Sequence, residues 1–121
     1  MPERRPVYLD LFRIRQPLPA VVSILHRVSG AFLFLLLPFL LHTFELSLAD
    51  EAGFARVTQQ PLVRLGLGLV AVFYAYHLLA GVRFLIFDLH RPGLYRHARS
   101  SARLVLLGAA LVALVVGLEL W

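Results

Sequence analysis

The stretch LVRLGLGLVAVFYAYHLLAGVRFLIF, residues 62–87, is apolar almost throughout. Its basic residues are Arg64 and Arg83, near its two ends, and His77 between them. A helix needs roughly 20 apolar residues to cross a bilayer, so this segment reads as a membrane span with an imidazole inside it. An ionisable group at that depth is costly and marks a functional site by default. Imidazole is a common axial ligand of haem iron. One histidine cannot fill both axial positions, so a second ligand would come from elsewhere. The competing reading is a histidine bonded to a carbonyl of a neighbouring helix, or one lining a polar contact between helices.

The rest of the chain has the same character. Its 121 residues are 60% hydrophobic and their mean hydropathy is +0.78. An ordinary soluble domain is about 45–50% apolar. Two further apolar segments, residues 20–48 and 104–121, flank the first. The fold class that follows is all-α and integral to the membrane, with three transmembrane helices at about 20–48, 62–87 and 104–121. Residues 1–19 form a polar N-terminal arm, and residues 20–121 form the membrane-anchor domain. This length leaves no room for a soluble catalytic domain. Pro19 can open the first helix, since proline is tolerated in a first turn. Pro38 is expected to bend that helix. Residues 49–61 read as a polar connection, and residues 88–102 as a basic loop turning at Pro92 and Gly93. Trp121 suits a membrane–water interface.

Cysteine is absent. This excludes disulfides, thiolate nucleophiles and cysteine-held iron–sulfur or zinc sites within the chain. The net charge is +5, and every basic residue other than histidine is arginine. The arginines flank the apolar segments, which speaks for membrane topology and against nucleic-acid binding. Arg4, Arg5, Arg13 and Arg15 lie in the arm, and Arg91, Arg96, Arg99 and Arg103 lie in or beside the second connection. The first connection has Arg56 beside Asp50 and Glu51. The positive-inside rule then puts the N-terminus in the cytoplasm. Residues 1–16 are charged and have no apolar run, unlike a cleaved signal peptide.

Outside His77, the chemistry-bearing residues cluster at the start of the first span. Ser23 and Arg27 are four apart and share a helix face; Gly30 continues it, and His26 sits to its side. A hydroxyl and a guanidinium aimed together supply the donors that a quinone carbonyl needs. Arg27 and His26 also suit the carboxylates of a haem. The simpler alternative is Arg27 snorkelling to phospholipid headgroups. On the second span, Gly81 lies one turn beyond His77, where a missing side chain would let a flat macrocycle approach. Arg83 and Asp88 are expected to fix the end of that helix or bond a partner. His42 and Glu45 can pair near the outer end of the first span, too far from His77 in depth to share an iron with it. Glu119, His90 and His97 read as solvated.

Two runs carry a resemblance to a known family. RPVYLDL at residues 5–11, followed by SILHRVSG at residues 23–30, resembles the N-terminal signature of the cytochrome b subunit of succinate dehydrogenase. YHLLAGVRFLIFD at residues 76–88 resembles that family's second signature, H-x-x-x-G-x-R-x-x-x-x-D. The two occur in order and the resemblance covers essentially the whole chain. It implies half of a heterodimeric haem-binding helix bundle that anchors respiratory complex II in the bacterial inner membrane. It also implies His77 as an axial ligand of haem b, with the other ligand on a second hydrophobic anchor subunit. Ser23 and Arg27 would bind ubiquinone or menaquinone, and His26 and Arg27 would lie near the haem propionates. The flavoprotein and iron–sulfur subunits would be separate partners, so the chain alone would have no activity. Alternatives are a fumarate reductase anchor, a cofactor-free structural membrane subunit, or a small transporter with His77 as a proton relay.

Overall fold

The computed structural model describes residues 10, 13–89 and 93–120; most of the N-terminal arm, residues 90–92 (with the expected turn at Pro92) and Trp121 lie outside it. Among the described residues the chain is helical and has no strand. Helix α1 (Leu18–Leu35) opens with Pro19 in its first turn, where a missing N–H costs nothing. Pro38 cannot donate to the carbonyl four residues back, and the helix breaks at Leu36. Helix α2 (Leu37–Ala49) continues from there. The expected bend is therefore a division of the first apolar segment into two helices.

The connection after α2 is more ordered than its polarity suggests. Helix α3 (Glu51–Gln59) forms there, with the Asp50 side chain accepting from the Gly53 N–H as an N-cap. Helix α4 (Pro61–Asp88) has proline at its start and contains both arginines and His77. A short 3-10 turn (Leu94–His97) leads into helix α5 (Ala98–Leu120). The third helix thus begins about one and a half turns before the expected residue 104, which places Arg99, expected in the loop, and Arg103, expected at its edge, on a helix.

Among the described residues, three stretches are long and apolar enough to cross a membrane: Leu18–Leu35, Pro61–Asp88 and Leu94–Leu120. Large apolar side chains along them remain exposed, among them Phe34 at 72%, Leu85 at 68% and Leu118 at 71%. Such a surface is untenable in water and normal against lipid tails or other apolar helices.

Helices α1, α4 and α5 pack antiparallel in sequence order. Phe32 stacks on Phe73 with ring centroids 5.0 Å apart, and Arg83 of α4 reaches the first turn of α5. The shared core is built from small or polar-tipped groups: Val22, Tyr76, Ala80, Ala102 and Val105. Lipid tails are as apolar as leucine, so close van der Waals fit and hydrogen bonds hold such helices together. Both kinds of contact are present. The Tyr76 hydroxyl donates to the Val22 carbonyl at 2.9 Å, tying α4 to α1. Arg83 is 93% buried, and its Nε and Nη2 donate to Ser101 Oγ at 3.0 Å and to the Ala98 carbonyl at 3.1 Å. Its guanidinium lies 4.7 Å from the centroid of Phe87 and 5.2 Å from that of Phe84. Arg83 therefore fastens α4 to α5; the guess that it fixes the helix end finds its partner on α5.

Candidate functional site

The α1–α4 contact brings His26 and His77 together. Their rings stack, with centroids 4.1 Å apart and planes 11° from parallel. Each helix makes room for the other's histidine with a glycine. A Cβ on Gly30 would stand 2.8 Å from His77 Cε1, and one on Gly81 would stand 3.4 Å from His26 Nε2. The space over Gly81, expected to admit a flat macrocycle, is where the structure sets the His26 ring. Phe84 closes the stack with an edge contact to His26 at 5.3 Å. From the ends of their helices the two histidines lie roughly 12 Å (His26 from Leu18) and 16 Å (His77 from Asp88) inward, at 1.5 Å per residue.

Hydrogen bonds define the state of His77. Its Nδ1 lies 3.1 Å from the His26 carbonyl oxygen and 3.0 Å from Ser29 Oγ. A carbonyl can only accept, so Nδ1 carries the hydrogen and donates. The Ser29 hydroxyl donates in turn to the same His26 carbonyl at 2.8 Å. That leaves its oxygen lone pairs facing the His77 N–H. In neutral imidazole a proton on Nδ1 leaves the lone pair on Nε2. A ligating histidine is oriented in the same way, with its remote N–H held by a carbonyl or another acceptor. The two readings of His77 open from the sequence are thus compatible: one nitrogen bonds a helix carbonyl and the other keeps a lone pair for a metal.

The same geometry limits what this chain can hold. Lone pairs lie in the ring plane, and two parallel rings stacked 4.1 Å apart leave no room for an iron in line between their nitrogens. His26 and His77 cannot occupy opposite axial positions on one iron. His42 lies about three turns, or 18 Å, further along than Gly30, which is the residue level with His77. It sits instead 4.0 Å from Glu45, and both side chains are largely exposed. Among the described residues no group of three or more His, Cys, Asp or Glu could hold a metal ion. The donor set suits one axial position on a haem and no more.

Ser23 and Arg27 flank this contact. They are turned roughly 60° and 100° around α1 from His26, at 100° per residue. Arg27 Nη2 lies 3.5 Å from Ser23 Oγ, a long hydrogen bond that keeps both groups on one side of the helix. Arg27 is exposed in the isolated chain. The structure therefore joins His77 to His26 directly and leaves the Ser23–Arg27 pair on an adjacent face.

Sequence reasoning passed over Ser29 and Tyr76. Ser29 is 98% buried and bonds both histidines. A hydroxyl three residues after His26, facing the second span, was the available signal. Its meaning depended on the register between α1 and α4.

These features define a helical membrane subunit with one prepared imidazole. Residues 1–117 match the succinate dehydrogenase/fumarate reductase transmembrane subunit family, and the chain belongs to that family. It is also 30% identical, over 125 aligned residues covering 100% of both chains, to the succinate dehydrogenase cytochrome b556 subunit of Coxiella burnetii (strain RSA 493 / Nine Mile phase I).

Proposed function

We propose that this chain is the large membrane anchor of a succinate:quinone oxidoreductase. In this reading it holds haem b jointly with a second hydrophobic anchor subunit and forms part of the site where quinone is reduced. The observation that carries the proposal is the Nδ1–H of His77 held by the His26 carbonyl and Ser29, which leaves the Nε2 lone pair for iron. The name of the Coxiella relative supports a b-type haem and the succinate direction over fumarate reduction.

Each residue then has a role set by its chemistry. His77 would hold the haem iron from this chain, and a residue of the second anchor subunit would complete its ligation. Haem b, when bound, accepts and returns single electrons. His26, stacked on His77, and Arg27, on the adjacent face of α1, would be donors for the haem carboxylates. The Ser23 hydroxyl and the Arg27 guanidinium hold a quinone carbonyl oxygen. As electrons arrive from an iron–sulfur partner, negative charge grows on that oxygen, and the fixed charge of Arg27 stabilises it. The flavoprotein that oxidises succinate docks through the iron–sulfur subunit. The arginine-rich end, with the N-terminus and the connection between α4 and α5, faces the cytoplasm of a bacterial cell.

The test is a reduced-minus-oxidised visible spectrum of the complex purified through this chain in mild detergent. Sharp b-type bands that appear on adding succinate are expected. A complex of four subunits without such bands would remove the haem role of His77 and leave a structural anchor.

A further inference from the structure

We propose that Ser29 is a positioning residue for His77, setting the tautomer and electron donation of that ligand; this rests on the haem reading above. Ser29 is 98% buried in the middle of an apolar helix, where an unsatisfied hydroxyl would be costly. Its hydroxyl hydrogen goes to the His26 carbonyl at 2.8 Å. Its oxygen, 3.0 Å from His77 Nδ1, can then only accept from that nitrogen. The His26 carbonyl lies at 3.1 Å from the same nitrogen, so the His77 N–H is shared between two acceptors that are themselves bonded to each other. This three-membered set has a single consistent arrangement of hydrogens. Reversing it would make the Ser29 hydroxyl donate to Nδ1 and leave the Nδ1 lone pair against the lone pairs of the carbonyl.

The arrangement has two consequences for a ligand at Nε2. The neutral imidazole is held in one tautomer, with its hydrogen on Nδ1 and Nε2 as the ligating nitrogen. Its plane is also fixed, because the two acceptors on one edge and the His26 ring on one face prevent rotation. A hydrogen bond accepted from the remote N–H raises the donor strength of the ligating nitrogen, which favours oxidised iron and lowers the midpoint potential. Ser29 and the His26 carbonyl share that acceptance.

The experiment compares haem midpoint potential, low-spin EPR signals and haem content in the assembled complex for wild type, Ser29→Ala, Ser29→Cys and Ser29→Thr. Ser29→Ala and Ser29→Cys are expected to keep haem while raising the potential, by about fivefold in the reduced-to-oxidised ratio at fixed potential, roughly 40 mV at 59 mV per decade. The low-spin signals should broaden as the imidazole plane loosens. Ser29→Thr keeps the hydroxyl and should restore both readouts. Unchanged potential and EPR signals in both Ser29→Ala and Ser29→Cys overturn the proposal. So does failure of both to assemble with haem, which would make Ser29 a packing residue. A wild-type complex without haem would overturn the haem reading itself, a result distinct from a haem-bearing wild type that Ser29 substitutions leave unmoved.

Discussion

Gly30→Ala tests the α1–α4 contact most directly. The new Cβ would stand 2.8 Å from His77 Cε1. A carbon–carbon contact settles at about 3.5 Å or more, so the imidazole must retreat from α1 by about 0.7 Å. Both acceptors of its Nδ1–H, Ser29 Oγ and the His26 carbonyl, belong to α1 and lie at 3.0 and 3.1 Å. The same retreat carries them beyond hydrogen-bond range. Overpacking costs roughly 1–3 kcal/mol, and the lost hydrogen bond adds about 1 kcal/mol. Alanine's better helix propensity returns about 1 kcal/mol. The net cost is about 1–3 kcal/mol, felt at the ligand itself. Gly81→Ala provides the control, because its Cβ would meet His26 Nε2 at 3.4 Å, close to ordinary contact. The assay is thermal release of haem from the detergent-solubilised complex, followed at the Soret band. Gly30→Ala should release haem several degrees earlier than wild type, and Gly81→Ala should match wild type. The reverse order would refute the reciprocal glycine–histidine packing. It would instead restore Gly81 as the gap through which a macrocycle approaches.

Three further outcomes are expected. His77→Leu should assemble with little or no haem b; normal haem content in the purified variant would remove His77 as a ligand. Arg27→Ala should lower succinate–quinone activity on the order of ten- to hundredfold, as loss of a charged hydrogen-bond donor does, and Ser23→Ala should lower it less. Succinate oxidation by an artificial acceptor should hold in both variants, whereas equal loss in the two assays would indicate failed assembly. Arg83→Lys should destabilise the α4–α5 contact by about 1.5–3 kcal/mol, because one ammonium replaces a planar fork that reaches both Ser101 Oγ and the Ala98 carbonyl. Limited proteolysis in the connection between α4 and α5 reads this out, and wild-type resistance would contradict the clamp.

Much of the molecule was legible before any coordinates. Apolar run length alone locates the membrane helices, because a bilayer imposes one minimum span and satisfies no backbone group along it. Prolines mark where helices open and break: Pro19 sits in the first turn of α1, and Pro38 divides the first apolar segment. Polarity misled at the connections. Residues 51–59 are polar yet helical, since Asp50 caps them, and α5 takes in basic residues that read as loop.

His77 stood out in the sequence because a lone imidazole among apolar residues needs a reason, and that reasoning requires no partner to be known. Its relation to His26, Ser29, Gly30 and Gly81 could not be read in the same way. Helical periodicity says which residues share a face of one helix, but the register between two helices is set by how their surfaces interlock. A shift of one turn would slide α1 past α4 by about 5.4 Å and separate His77 from His26, Ser29 and Gly30, and Gly81 from His26. The sequence by itself determined a helical membrane protein with an imidazole inside a membrane span. The tertiary contact alone decided which nitrogen of that imidazole is held by hydrogen bonds and which keeps its lone pair.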